Sequence, residues 1–187
     1  YRFVIYGAGT AGIGIADMIQ GALSAAGRDP GQFYAFNRNG LIIEDSPGAR
    51  EFQKPYARPR SEIDGWDVAD PHRVNLLETI RNAQPTILIG TSARGGAFSE
   101  EVVREMHSYC ERPVIMPLSN PTDRCEARPS DLLDWTDGKA LIATGSPFEP
   151  VRRGSVHHTI AQANNALIFP GLGLGVSVVQ ARLISEE

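Results

Sequence analysis

Apolar and polar positions alternate in blocks along the chain, and these blocks predict strands and helices in turn. An apolar run at residues 2–6 predicts a strand, and apolar spacing over 11–26 predicts an amphipathic helix. Further strands are predicted at 33–36, 86–89, 114–118 and 140–143, and further helices at 72–83, from 99 to about 109, and from 130. Alternating strands and helices predict an α/β fold, with a doubly wound, mostly parallel sheet and helices on both faces.

Three segments between these blocks carry other signals. Residues 44–60 hold Pro47, Pro55 and Pro59, so an irregular excursion is predicted there. Residues 150–157 are polar and predict a loop. The tail from Thr159 to Ser185 is glycine-rich in its centre and then has a helical pattern.

A glycine motif follows the first predicted strand directly. Gly7, Gly9 and Gly12 form G-x-G-x-x-G between that strand and the first helix, which is the context in which this motif indicates a dinucleotide site of the Rossmann type. Gly7 permits a tight turn, Gly9 lets backbone approach a pyrophosphate, and Gly12 lets the helix pack against the strand. The helix N-terminus offers unpaired N–H groups to the phosphates. The cofactor-binding residues predicted here are Gly7, Ala8, Gly9, Thr10, Ala11 and Gly12.

Small, polar or glycine-rich segments follow three other predicted strands, at 90–96, 119–122 and 144–148. Ligands of doubly wound sheets bind beyond the carboxyl ends of the strands, so all four segments are predicted at one edge. Each segment taken alone could be only a turn, because glycine, serine, asparagine and proline favour turns. Four on the same edge favour a binding site.

The second strand ends at a residue that sets the cofactor type. A Rossmann site usually has Asp or Glu there to bind the ribose hydroxyls, whereas this chain has Asn37. Asn can bond a hydroxyl and does not repel a 2′-phosphate, and Arg38 beside it could pair with one. We therefore expect Asn37 and Arg38 to contact NAD, with NADP left open. Alternatively, residues 37–40 are only a turn with solvated side chains.

Composition and charge argue against a nucleic-acid-binding protein and against a membrane protein. The chain has 187 residues, 42% of them hydrophobic, and a net charge of −4 with no long basic run, so nucleic acid is not an expected partner. No apolar segment of 18 residues predicts a membrane span. Cys110 and Cys125 fit no metal or disulfide spacing, which favours a reducing compartment and a cytoplasmic location.

The ends of the chain affect the expected function. Tyr1 opens almost inside the first strand, and Glu187 closes a helical pattern without a capping glycine. We therefore expect residues 1–187 to be one Rossmann-type NAD(P)-binding domain from a longer chain, with catalytic groups elsewhere in that chain.

Several blocks together resemble the NAD-binding domain of malic enzymes. They occur in the family's order and span nearly the whole chain. The blocks are Phe3–Ala16 with its glycine motif, Pro85–Ser92 (PTILIGTS), Arg112–Thr122 (RPVIMPLSNPT), Ala143–Phe148 (ATGSPF) and Gln162–Gly171 (QANNALIFPG).

The resemblance implies an activity and further roles. Malic enzymes oxidise L-malate with NAD or NADP and decarboxylate the oxaloacetate to pyruvate and CO₂. It implies that Asn120 and Asn165 bind the substrate, and that Asn164 supports the cofactor; the alternative for the Asn pair is helix capping. Residues implied to lie along the cofactor toward its nicotinamide are Thr91, Ser92, Leu118 and Ser119.

The departures from the family pattern concern the choice of cofactor and the metal. NADP-dependent members tend to have Lys before the proline of the excursion, while NAD-dependent ones often do not. Here Gln53 and Lys54 both precede Pro55, so the choice depends on which of them aligns with that Lys, and we expect NAD. The family's catalytic lysine and tyrosine, and the carboxylates for Mn²⁺ or Mg²⁺, lie upstream of the glycine motif. We therefore assign no catalytic residue and no metal ligand here, and expect the metal only in the full-length enzyme, a homo-oligomer (dimer or tetramer).

Other acidic and histidine residues have simpler explanations. Asp67, Asp70, Asp131 and Asp134 lie near predicted helix starts, where carboxylates are common. His157 and His158 have no partner at ligand spacing, so an exposed loop is favoured.

Two alternative functions remain open. One is a non-catalytic, nucleotide-sensing Rossmann domain, which would have no reason to direct Asn120 and Asn165 at the nicotinamide. The other is a dehydrogenase of amino acids, which shares the fold but not the block at residues 118–122.

Overall fold

A seven-stranded sheet forms the centre of the computed structural model, which describes residues 1–184. The strands in chain order are β1 (Arg2–Tyr6), β2 (Gln32–Asn37), β3 (Gly40–Leu41), β4 (Ile87–Gly90), β5 (Val114–Pro117), β6 (Leu141–Thr144), β7 (Val151–Arg153), β8 (Val156–His158) and β9 (Ala161–Gln162). In the large sheet the order is β3-β2-β1-β4-β5-β6-β9, and β7 pairs with β8 separately. All pairs of the large sheet are parallel except β2 with β3. The predicted α/β Rossmann-type fold is confirmed.

Helices cover both faces of this sheet. They are α1 (Thr10–Ala25), α2 (Arg60–Ile63), α3 (Leu76–Ala83), α4 (Glu100–Tyr109), α5 (Pro129–Trp135) and α6 (Phe169–Val179). Short 3₁₀ helices span Glu51–Tyr56, Thr122–Arg124 and Asn165–Leu167.

The alternation of side chains in β1 explains the two layers. Val4 packs into a cluster with α3, α4 and α5, whereas Phe3 and Ile5 pack into a second cluster with α1. Val4 and Ile5 are both fully buried, as a strand covered on both faces requires. The glycine turn after β1 therefore starts from the rigid centre of the sheet.

The third helix starts later than the predicted residue 72. It begins at Leu76, where Asn75 Oδ1 accepts from the Glu78 amide at 3.0 Å and Glu78 Oε2 accepts from the Asn75 amide at 2.8 Å. This reciprocal capping box satisfies two amides at once. Asp70 instead accepts from the amide of His72 in a turn.

Residues 150–157 contain strand as well as turn, so the loop prediction was wrong. β7 and β8 form an antiparallel hairpin, with Gly154 in the left-handed region at φ +60°. These strands are short and largely exposed, so they lack the apolar alternation that would predict them. The irregular excursion holds the first 3₁₀ helix and ends at Arg60, where α2 begins. The short strands β3 and β9 were not predicted.

The tail is helical over Phe169–Val179, and the end of that prediction, Ser185, lies outside the described residues. α6 has no buried residue, and its large apolar side chains are exposed. Of the helices in the described part, none is both long and apolar enough to cross a membrane.

Candidate functional site

The glycine turn connects three neighbouring strands. The amides of Gly7 and Ala8 donate to the carbonyl of Phe36 at the end of β2, at 3.2 and 2.6 Å. Thr91, directly after β4, donates its hydroxyl to the Gly7 carbonyl at 2.7 Å. The turn is therefore held by the ends of the strands on either side of β1.

Each glycine of the motif has a different environment. Gly7 has φ +115°, and a Cβ there would lie 2.5 Å from the carbonyl carbon of Thr91. A Cβ on Gly12 would lie 2.7 Å from Thr91 Oγ1 and 3.0 Å from Ile5 Cγ2. A Cβ on Gly9 would meet nothing within 4 Å. Gly7 and Gly12 are thus required by packing, whereas Gly9 faces open space.

The N-terminus of α1 is suited to an anion. Gly9 is its N-cap and supplies no side-chain acceptor, and no acidic residue occupies the first turn. Thr10 and Ala11 are exposed at this end. Unpaired first-turn amides and the positive end of the helix dipole attract phosphate.

An open cavity of about 750 Å³ lies over the turn. Its lining combines the glycine turn, the end of β2, the 3₁₀ segment of the excursion and the start of the loop after β4. The lining residues are Tyr6, Gly7, Ala8, Gly9, Phe36, Asn37, Arg38, Asn39, Gly48, Arg50, Gln53, Thr91, Ser92 and Arg94. Three are arginines and none is Asp or Glu, so this cavity is electropositive along its wall.

Asn37 occupies the expected position at the carboxyl end of β2. Its Oδ1 accepts from the amide of Asn39 at 2.7 Å, which closes an Asx-type turn. The turn interpretation therefore holds for that oxygen, while the side chain still lines the cavity beside Arg38.

Gln53, not Lys54, contacts the glycine turn. Gln53 is 6% exposed, and its Nε2 donates to the carbonyl of Ala8 at 2.5 Å while its Oε1 accepts from the Arg50 amide at 2.9 Å. Lys54 is exposed and pairs with Glu51 at 2.6 Å. The excursion thus holds the turn through an uncharged amide.

A buried carboxylate joins the loops after β4 and β5. Glu126 is fully buried, and its Oε1 accepts from the amide and the hydroxyl of Ser92, both at 2.8 Å, and from the Ser119 hydroxyl at 2.5 Å. Its Oε2 accepts from the Ser119 amide at 3.3 Å. Ser119 Oγ in turn accepts from the amide of Ala93 at 2.8 Å. We call these residues, Glu126 with Ser92, Ala93 and Ser119, the Glu126 network.

The loops after β5 and β6 are joined by asparagine side chains. Asn120 Oδ1 accepts from the Ser146 hydroxyl at 2.5 Å, and Asn164 Nδ2 donates to the Gly145 carbonyl at 2.8 Å. Asn164 Oδ1 also accepts from the amide of Ala166 and so caps the 3₁₀ helix that begins at Asn165. The capping interpretation is therefore correct for Asn164, and Asn165 is exposed beside it.

The predicted site residues fall into two groups. Those of the glycine turn, β2 and the loop after β4 line or support the cavity, and Ser119, which stands between Leu118 and Asn120, connects to them through the Glu126 network. Asn164 and Asn165 lie further along, against the loop after β6.

No set of three His, Cys, Asp or Glu side chains within residues 1–184 is close enough to hold a metal ion. Asp131 lies in the first turn of α5, as predicted, while Asp134 forms an ion pair with Arg153. Asp67 and Asp70 lie in the segment before α3.

Sequence reasoning missed Gln53 as a contact of the turn, and it missed Glu126 and Arg50 altogether. Arg94 and Ser146 lie in the predicted segments 90–96 and 144–148 but were given no role of their own. Glu126 had one usable signal, because it stands between Cys125 and Ala127 in a segment that proves buried. A charged residue inside such a segment is expected to be bonded to other groups.

Comparisons of the sequence with known proteins point to one family. The sequence model of the family described as "Malic enzyme, NAD binding domain" matches residues 1–187. NAD-dependent malic enzyme 3 of Bacillus subtilis (strain 168) is 51% identical over 191 residues, covering 100% of this chain and 34% of that protein. NAD-dependent malic enzyme of Pseudomonas aeruginosa (strain LESB58) is 50% identical over 184 residues, covering 96% of this chain and 33% of that protein. The chain therefore spans about a third of the length of these relatives.

Proposed function

This chain belongs to the malic enzyme family as its NAD-binding domain, and on that premise we propose that it binds the dinucleotide in an enzyme that converts L-malate to pyruvate and CO₂. The observation that carries the proposal is the convergence of four strand ends. The glycine turn, the loop after β4, the loop after β5 and the loop after β6 are joined by side-chain hydrogen bonds at one edge of the sheet.

We propose that the pyrophosphate of the cofactor lies at the N-terminus of α1. Gly9 leaves open space there, and the arginines of the cavity wall add positive charge. The ribose then reaches Asn37 and Arg38, and the nicotinamide extends past Thr91 and Ser92 toward Leu118 and Ser119.

The hydroxy acid is proposed to bind beside Asn120 and Asn165. Asn120 Oδ1 is held by Ser146, so its position does not depend on a ligand. An amide can orient a hydroxyl or carboxylate without adding charge next to the site of hydride transfer.

NAD is the proposed cofactor, since the similar bacterial proteins are named NAD-dependent. The position of Lys54 also favours NAD, because Lys54 pairs with Glu51 on the surface while uncharged Gln53 lines the cavity. Asn37 and Arg38 would still allow weaker use of NADP, because no carboxylate repels its 2′-phosphate.

The chain is proposed to work as part of a longer, cytoplasmic, homo-oligomeric protein. Its relatives are about three times its length, and α6 exposes an apolar surface of the kind that another part of a protein usually covers. No group of three His, Cys, Asp or Glu side chains in residues 1–184 is placed to hold the Mn²⁺ or Mg²⁺ that the resemblance implies, so we assign no step to a metal.

Malate-dependent formation of NADH by the full-length protein tests the proposal. Asn120→Ala and Asn165→Ala should each lower malate turnover at least tenfold, since a hydrogen bond to the charged carboxylate of the substrate is worth about 1.5–3 kcal/mol. Gln32→Ala, an exposed amide at the amino end of β2, is the matched control and should behave as wild type.

The alternative, a non-catalytic nucleotide sensor, makes a different prediction in the same assay. A sensor would bind NAD⁺ without oxidising malate, and the two Asn variants would change nothing. Malate oxidation by residues 1–187 alone would contradict our proposal that the catalytic groups lie elsewhere.

A further inference from the structure

Glu126 is a buried carboxylate that the proposed function leaves without a role. It lies 0% exposed, and the hydrogen bonds to its carboxylate come from Ser92 and Ser119. No Lys, Arg or His in residues 1–184 forms an ion pair with it. A buried carboxylate is costly unless its oxygens are well bonded.

The pattern of donors is specific for a carboxylate. One oxygen accepts from the Ser92 amide and the other from the Ser119 amide. A backbone amide can only donate, so both oxygens must be acceptors. A Gln side chain would place an NH₂ group against one of these amides.

The chain also makes room for this carboxylate. Gly90, the last residue of β4, lies against it, and a Cβ on Gly90 would come within 2.6 Å of Glu126 Cδ. The side chain therefore reaches across the end of β4 to bond the loop that follows.

The Glu126 network supplies side-chain hydrogen bonds between two loops that are also joined further along by backbone bonds, from the Gly96 amide to the Cys125 carbonyl and from the Phe98 amide to the Glu126 carbonyl. Ser92 follows β4 and Ser119 follows β5, and Ser119 Oγ accepts from Ala93 as well. On the proposed function, these loops flank the nicotinamide, whereas the pyrophosphate lies at the glycine turn.

We propose that Glu126 is a positioning residue that fixes the nicotinamide half of the site by holding the loops after β4 and β5 in register. It acts through Ser92 and Ser119 and does not contact the adenosine half. This inference rests on the proposed function, because it takes the nicotinamide to lie between these loops.

The test compares NAD⁺ with ADP-ribose, which lacks the nicotinamide, in the full-length protein. Glu126→Gln should lower kcat/KM for NAD⁺ at least tenfold, equivalent to one lost charged hydrogen bond, and leave the Kd of ADP-ribose within about twofold of wild type. Gly90→Ala should act in the same direction, because it displaces the carboxylate without removing its charge.

Asp123→Asn is the control, since Asp123 is an exposed carboxylate in the same segment. It should leave both quantities unchanged. Circular dichroism and thermal melting identify variants that do not fold. If Glu126→Gln does not fold, Gly90→Ala is the variant that tests whether Glu126 positions the nicotinamide half of the site.

The outcomes separate the two hypotheses. A wild-type protein that binds neither NAD⁺ nor ADP-ribose would overturn the proposed function and this inference with it. If wild type binds both and Glu126→Gln behaves as wild type, only this inference fails. It also fails if the variants weaken the binding of ADP-ribose as much as they impair the use of NAD⁺, or if neither variant folds. In both cases Glu126 would have a merely structural role.

Discussion

Substituting the middle glycine of the turn should separate cofactor binding from folding. In Gly9→Ala the new Cβ meets nothing within 4 Å, and the backbone at φ −77° and ψ −174° suits any residue. Ala gains about 0.4–1 kcal/mol from reduced freedom of the unfolded chain, while it is a poorer N-cap by a similar amount. We expect the free energy of unfolding to change by less than about 1 kcal/mol.

In contrast to stability, the affinity for the dinucleotide should fall strongly in Gly9→Ala. The added methyl group occupies the space over the first amides of α1, where we place the pyrophosphate. The loss of one charged hydrogen bond costs about 1.5–3 kcal/mol, which weakens the Kd for NAD⁺ roughly 10- to 100-fold.

Two other glycines provide the controls for this experiment. Gly21→Ala, exposed in the same helix with nothing within 4 Å, should stabilise the protein by about 1 kcal/mol and leave the Kd unchanged. Gly12→Ala would force a Cβ to 2.7 Å from Thr91 Oγ1 and should destabilise the fold by about 1–3 kcal/mol.

Calorimetric titration with NAD⁺ and thermal unfolding of the full-length variants measure the two effects. Wild-type affinity in Gly9→Ala would refute the placement of the pyrophosphate. A strong loss of stability in the same variant would refute the argument that this space is open.

Three further predictions follow from single residues. Asn37→Asp should reduce kcat/KM with NADP⁺ about tenfold or more relative to NAD⁺, because a carboxylate there repels the 2′-phosphate; an unchanged ratio would place the ribose elsewhere. Burial and the hydrogen bond to Glu62 raise the pKa of Tyr34 from 10.0 to about 12. The stabilising contribution of Tyr34 is therefore complete below pH 10 and is lost as the pH rises through 12. Ultraviolet titration should show one late-ionising tyrosine fewer in Tyr34→Phe than in wild type. Burial also raises the pKa of the Cys125 thiol, so peptide mapping after brief alkylation should find Cys110 modified first, and equal labelling would contradict that burial.

The first strand, the glycine turn and the first helix could be predicted closely because each carries a local signal. The apolar run, the three glycines and the helical spacing are contiguous, so no distant contact is needed to interpret them. Convergence of the four strand ends followed from topology alone, since parallel strands share one carboxyl edge.

Residues that act over long sequence separations could not be found in this way. Gln53 contacts the turn across 45 residues, and Glu126 reaches Ser92 across 34. Their partners are mostly backbone groups, which leave no trace in the side-chain pattern. The start of α3 was misplaced for a related reason: Asp70 before a proline and Asn75 are both good caps, and only the reciprocal bond with Glu78 decides between them.

The two missed side chains hold different halves of the proposed site, and this division has a physical consequence. Gln53 binds the carbonyl of Ala8 and so fixes the glycine turn, where we place the pyrophosphate against the amides of the helix N-terminus. Glu126 fixes the loops where hydride transfer would take place, and there geometry affects the rate more than the affinity. Substituting Gln53 should therefore weaken the binding of NAD⁺ and of ADP-ribose alike. Substituting Glu126 should lower kcat/KM for NAD⁺ and leave the Kd of ADP-ribose unchanged. Because both side chains bond the protein's own backbone, the edge of the sheet is organised before a cofactor binds, and less ordering remains to oppose binding.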